Sequence, residues 1–401
     1  MLRMNEQYCQ IWLSAIPGLG SRRCIRLTGN APGGKAAGIY AMTEKELTET
    51  AIKAENSEEQ GIKTAELIIR GRNTARERAD TTLAAMKKSG MGYVCIEDKE
   101  YPDRLRRIPD PPYGLYFLGR YPSENEPSAA IIGARSCTAY GLHEARRFAQ
   151  AFAASGVTVI SGMARGIDSA AQSAAVETGA ASIAVLGSGA DVCYPKSEKD
   201  LYERLIAHGT VISEYPPGTA PDRTNFPLRN RIISGLCDKL LVVEARKKSG
   251  TMITVAAALE QSRDVWAVPG RCTDLSSEGC NQLIFDGAGI ALSPEYMIEA
   301  FFGTGQSRTA KGQEDISSNT QKEIKQAALI SRIPESEGRD VYLRLCSLLN
   351  EWEEKSADQI CQEMFEKYHT ELGAGEAAFR LMRLTVLGLC RETAAGCYSG
   401  T

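Results

Sequence analysis

The chain has 401 residues, 43% of them hydrophobic, with 47 basic and 50 acidic side chains and a net charge of −3. That is too long for one ordinary core and points to two or three domains, while no run of about 18 apolar residues offers itself as a membrane span and the opening MLRMNEQYCQIW lacks the apolar centre of a secretion signal. Twelve cysteines without a CxxC pair and only three histidines speak for reduced thiols in a soluble, cytoplasmic protein with no metal site and no membrane partner.

In chain order, Tyr8 to Ala15 predicts a short helix, Ile16-Pro17-Gly18-Leu19-Gly20 a tight turn, and Ser21 to Leu27 a second helix capped by Ser21. This pair fits a helix-hairpin-helix, whose glycine turn brings backbone amides to a phosphate, and it fits an ordinary αα corner equally well. Further helices are expected from Thr43 to Ala54, Ser57 to Arg70 and Asn73 to Lys88. Residues 1–78, with 12 basic and 9 acidic side chains, read as a small helical domain.

From Gly90 the pattern changes to short strands, Tyr93 to Ile96 and Gly114 to Leu118. The stretch Ala129 to Gly166 is a β-α-β unit, with buried runs at Ala129–Ile132 and Val157–Ile160 joined by an alanine-rich helix. Strands are expected again at Ala181–Leu186, Thr210–Ser213, Lys239–Val243 and Val265–Val268. Helical patterns fill the gaps, at Ile167–Thr178, Ser197–His208, Arg229–Leu236 and Thr251–Arg263. This alternation predicts an α/β, doubly wound parallel sheet that meets ligands at the carboxyl ends of its strands. Two of those ends join glycine to arginine, Gly133-Ala134-Arg135 and Ser161-Gly162-Met163-Ala164-Arg165-Gly166, and Lys196 follows a third. An anion is the expected guest.

A nicotinamide cofactor is not expected. The first turn lacks GxGxxG, the second strand ends in Ser161-Gly162 where an acidic residue would hold a ribose, and Walker A, GxSxG and HExxH patterns are all missing. Asp168, Asp191, Glu214 and Glu244 stand near strand ends, either as catalytic carboxylates or, the commoner use, as helix caps and partners for arginine.

The loop Thr224 to Leu236, TNFPLRNRIISGL, carries Phe226 and then Arg229, Asn230 and Arg231. A second basic run, Arg246-Lys247-Lys248-Ser249-Gly250, follows the next strand, and between Arg223 and Lys248 seven basic residues face two acidic ones. An aromatic face beside guanidinium forks suits unpaired nucleotides, because bases stack and arginines take phosphates. The competing reading makes Phe226 a core residue and pairs the arginines with Glu214 or Glu244.

Beyond Phe302 the segment GTGQSRTAKGQEDISSNTQ is linker-like. Helices are then expected at Arg339–Glu351, Ser356–Tyr368 and Gly375–Leu387, with a hairpin at Leu389–Tyr398, an order resembling a winged helix. Residues 339–401 hold 7 basic and 10 acidic side chains, so this part suits protein interaction or self-association, or a stabilising cap, better than a grip on duplex phosphates.

The series IIGAR, SGMARGID, VLGSGADVCYP, SEYPPG, FPLRNRIISGL, VVEARKKSGTMIT and VPG, over about 90–300 of the chain, closely resembles the bacterial DNA-processing protein A (DprA, or Smf) family. Gln172 departs from it, standing where the family commonly has histidine. The resemblance implies an extended Rossmann domain that binds single-stranded DNA and helps load RecA recombinase during natural transformation. It also implies a homodimer, often flanked by a sterile-alpha-motif-like domain and a winged helix. The expected layout is a helical domain over 1–78, the Rossmann-like DNA-binding domain over 79–304, a linker over 305–338 and the winged-helix-like domain over 339–401. The candidate single-strand site comprises Gly133, Arg135, Ser161, Gly162, Arg165, Gly166, Lys196, Phe226, Arg229, Asn230, Arg231, Lys248, Ser249 and Gly250. No catalytic residue, cofactor or metal is assigned. The rival from another class is a nucleotide-processing enzyme of the phosphoribohydrolase type, whose PGGxGTxxE pattern the chain lacks.

Overall fold

Apolar runs bounded by glycine or proline become strands, and capped amphipathic stretches become helices, because each then buries one face while its backbone pairs internally. The computed structural model describes residues 5–121, 126–302, 339–349, 355–370, 372–386, 390–394 and 397–400. Contacts divide the chain into two units, Met1–Ala310 and Lys311–Thr401.

The first unit begins with helices α1 (Glu6–Ser14), α2 (Ser21–Asn30), α3 (Ala36–Ala41), α4 (Glu44–Glu55) and α5 (Glu58–Ser89). A reciprocal capping box between Thr43 and Glu46 starts α4, and the Ser57 side chain caps α5. Two helices were expected over 57–88; instead α5 runs unbroken for 32 residues, and Gly71 lets the Ile16–Pro17 turn pack against it. Ser21 does not cap α2, whose N-cap is Gly20. Its hydroxyl donates to Glu214 Oε1 at 2.9 Å, tying this helix to the α/β region.

That region holds β1 (Gly92–Cys95), α6 (Asp103–Arg106), β2 (Gly114–Gly119), β3 (Ser128–Ile132), α7 (Ala139–Ala154), β4 (Thr158–Ser161), α8 (Ile167–Glu177) and β5 (Ser182–Leu186). It continues through α9 (Lys199–His208), β6 (Thr210–Ser213), α10 (Asn225–Leu236), β7 (Lys239–Val242), α11 (Thr251–Glu260), β8 (Asp264–Ala267), α12 (Glu278–Phe285), β9 (Gly289–Ile290) and α13 (Pro294–Phe302). One sheet takes the order β1-β2-β6-β5-β4-β3-β7-β8-β9. The seven strands from β6 to β9 are parallel, and β2 and β1 add an antiparallel extension.

Both faces of the sheet are covered. Ala129 and Ile131 of β3 join a core with Phe148, Phe152 and Ile167, whereas Ala130 and Ile132 join the core that holds Leu205, Ile232, Ile233 and the N-terminal helices. Double burial explains why these strands read as continuous apolar runs. From β3 the chain moves one way to β4, β5 and β6, then returns past β3 to β7. The carboxyl ends of β3 and β7 therefore flank the topological switch point.

The second unit contains α14 (Arg339–Leu348), β10 (Lys355–Ser356), α15 (Ala357–Tyr368), α16 (Ala374–Val386), β11 (Cys390–Ala394) and β12 (Cys397–Gly400), with strand order β10-β12-β11. Its core gathers Tyr342, Leu345, Ile360, Met364, Leu381 and Leu384. The expected linker, 305–338, lies outside the described residues. No helix among those described is long and apolar enough to cross a membrane.

Candidate nucleic-acid interface

The switch point itself is occupied by protein. Buried Glu244, just past β7, accepts from the Thr138 backbone N–H at 2.9 Å and from its hydroxyl, while its carbonyl accepts from Ala134 N–H at 2.8 Å. Thr138 in turn caps α7. Ligand space lies one strand over, at the carboxyl ends of β3, β4 and β5.

The floor of that space is built from α8 and α10. Arg229, only 4% exposed, donates from Nη1 to the Gly162 carbonyl at 3.0 Å and to the Val185 carbonyl, so one guanidinium joins the ends of β4 and β5. A β-carbon on residue 162 would lie 2.7 Å from Arg229 Nη2, which only glycine avoids. Gly162 N–H donates to Asp168 Oδ2 at 3.2 Å. Burial pushes the Arg229 guanidinium down to about 10 against the opposing pull of Asp168. Burial raises the Asp168 carboxyl, with Arg229 pulling the other way. Gln172, the residue departing from the family pattern, accepts from Met163 N–H and donates to the Ile183 carbonyl, both at 3.0 Å, and so fixes the loop after β4.

A cavity of about 670 Å³ opens above this floor, and Arg135, Gly162, Arg165, Lys196, Phe226 and Arg229 all line it. The Arg135 guanidinium lies 5.6 Å from the Phe226 ring centroid, a cation–π arrangement. Tyr194 stacks on Phe226 at 5.3 Å with planes inclined by 24°. Gly187 lets the Phe226 edge approach, since a β-carbon there would sit 2.8 Å from its Cδ1. Arg165 Nε donates to Ser197 Oγ at 3.3 Å. Cationic forks beside stacked rings can hold a phosphate and a flat heterocycle together.

Several expected residues serve otherwise. Arg231 does not face this cavity: it pairs with Glu214 at 2.9 Å and Asp110 at 3.1 Å, the alternative that the sequence had left open for the arginines. The reason is helical phase, since α10 starts at Asn225 and residues two apart are turned about 200° around an α-helix. Ser161 is buried and donates to the Ile131 carbonyl at 2.6 Å, and Asn230 Oδ1 accepts from Arg229 Nε at 3.3 Å. Gly133 and Gly166 form the backbone behind the Arg135 loop, where Ile167 N–H meets the Ala134 carbonyl. Lys248, Ser249 and Gly250 precede α11 at the end of β7, on the same sheet edge but not in the cavity lining. The four acidic candidates are engaged: besides Asp168 and Glu244, Asp191 accepts from Gly218 N–H at 2.8 Å and Glu214 holds Arg231.

Gly187, Ser188 and Tyr194 also line the cavity and were not in the expected set. The glycines of LGSG signal a strand end, but too common a pattern to single out, and Tyr194 stands in the connection that follows it.

A doubly wound α/β sheet whose strand ends converge cations and stacked aromatics on one cavity defines an extended Rossmann-type protein. The family described as DNA recombination-mediator protein A matches residues 92–302, and the chain belongs to that family. It is 41% identical over 210 residues to Protein Smf of Synechocystis, covering 51% of this chain and 53% of that protein. It is 40% identical over 206 residues to DNA processing protein DprA of Streptococcus pneumoniae, covering 51% of this chain and 73% of that one. The X-ray structure of DprA from Streptococcus pneumoniae superposes with a TM-score of 0.62 at 30% identity, covering 75% of this chain and 99% of that chain.

Proposed function

We propose that the cavity is a single-stranded DNA site and that the protein is a non-enzymatic recombination mediator. In this reading it works in the cytoplasm as a homodimer, protects incoming single strands and helps load RecA onto them in natural transformation. The observation that carries the reading is the Arg135 guanidinium set over the Phe226–Tyr194 stack in one cavity, which pairs a phosphate ligand with a surface that accepts any base. Duplex DNA hides its base faces and cannot use that surface.

The homodimer draws support from exposed Phe285, Ile290 and Leu292 beside the short edge strand β9, apolar surface of a kind that a second copy covers. The second unit, with its helix, strand, two helices and hairpin, suits a winged-helix module for protein contacts. The helices α1 to α5, which carry the expected 1–78 and end at Ser89, serve as the helical flanking domain.

The test is fluorescence anisotropy with oligo-dT and with duplex of equal length, alongside incubation with nucleoside monophosphates. Tighter binding of the single strand without turnover is expected. Turnover of a nucleotide would favour a phosphoribohydrolase-type enzyme, and equal affinity for duplex would remove the role of the aromatic stack.

A further inference from the structure

Phe226 lines the cavity but offers it only part of its ring. That ring is half-buried, with Gly187 against its edge, the Arg135 guanidinium above it and Tyr194 stacked on it. Tyr194 is 40% exposed, and among the described residues its hydroxyl has no hydrogen-bond partner. Two other tyrosines near this sheet edge, Tyr140 and Tyr215, do not line the cavity, and Tyr140 donates to the Pro269 carbonyl at 3.1 Å.

Building on the single-strand reading of the cavity, we propose that Tyr194 is the base-stacking residue of the site. An unpaired base lies on the outward face of the Tyr194 ring, Phe226 backs that ring from behind, and Arg135 takes the adjoining phosphate. Near-parallel rings at 5.3 Å are in the offset stacking range, so the base extends a column already two rings deep. Stacking of this kind needs no hydrogen-bond code and tolerates any base. Tyr194 is thus a specificity residue for unpaired strands.

The experiment compares oligo-dT affinity across a salt series for the parent chain, Tyr194→Ala and Tyr194→Phe. Tyr194→Ala should bind about tenfold more weakly with an unchanged salt slope, since a stacked base releases no counterions. Tyr194→Phe, which keeps the ring, should bind like the parent. In Tyr194→Trp, the new indole emission should change when oligo-dT saturates the site. A Tyr194→Ala chain that binds like a DNA-binding parent would overturn the assignment while leaving the single-strand reading intact, as would an unmoved Tyr194→Trp emission or equal losses in the Ala and Phe variants. A parent that fails to bind oligo-dT would overturn both.

Discussion

Arg229 and Arg231 stand two positions apart on α10 and serve opposite sides of it. Arg229 reaches the Gly162 carbonyl at 3.0 Å and forms the cavity floor. Arg231 reaches Glu214 at 2.9 Å and Asp110 at 3.1 Å. Asp110 also pairs with Arg22 at 2.7 Å, and Glu214 accepts from Ser21, so Arg231 belongs to a network that fastens α2 to the α/β region.

Removing the Arg229 side chain therefore acts first on stability. Arg229→Ala would leave the buried Gly162 and Val185 carbonyls without the donor that joins them, and each unmet buried acceptor costs about 1–3 kcal/mol. Thermal unfolding should show a clear drop for Arg229→Ala and almost none for the exposed Arg135→Ala. Equal melting of the two variants would mean that Arg229 is an accessory ligand residue and not part of the floor.

Arg231→Ala should loosen the N-terminal helices while sparing the cavity. Its partners are only partly buried, so a loss on the order of 1 kcal/mol is expected. Limited proteolysis should cut residues 1–89 faster in the variant, with oligo-dT affinity within about twofold of the parent because no phosphate contact is lost. A large loss of affinity with unchanged proteolysis would return Arg231 to the phosphate track.

Asp168 gives a pH test. Its pKa is raised by burial, so the folded protein holds this proton more tightly than the unfolded chain does. The resulting stability is fully present below the ordinary carboxylate value of about 4 and is lost as pH rises through the folded value. Relative to Asp168→Asn, which cannot titrate, the parent should lose stability between the ordinary and the folded value and run parallel to the variant above the folded one. Melting temperatures that differ by a constant amount over the whole pH range in which both proteins fold would contradict this.

The parallel strands were legible because burial on both faces writes them as short apolar runs with glycine or proline at their ends; β6 (Thr210–Ser213) falls where it was expected. The glycine-arginine strand ends were legible too, since Arg135, Gly162 and Arg165 do meet in the cavity. The direction of each arginine was not. Expecting α10 to open at Arg229 put Arg229 and Arg231 together at a helix N-terminus, whereas Pro227 sits inside the first turn, where its missing N–H costs nothing. Tyr194 was hidden for another reason: it reaches Phe226 only through the long connection after β5, and no local pattern encodes that contact.

Ending the chain after Phe302 should leave oligo-dT binding nearly intact. The cavity lies wholly within 135–229, and residues 339–401 carry 10 acidic against 7 basic side chains, a balance that repels phosphate. Loss of most affinity in this truncation, measured by anisotropy, would make the second unit a DNA module.

The most direct test of the cavity as a single-strand site is the salt dependence of oligo-dT affinity in the parent and in Arg135→Ala. The parent should show a log-linear fall with salt, and Arg135→Ala should bind about tenfold more weakly with its slope reduced by about 0.7 for the one phosphate released. Identical affinity and slope in the two proteins would contradict the account, because the guanidinium above the aromatic stack would then touch no phosphate.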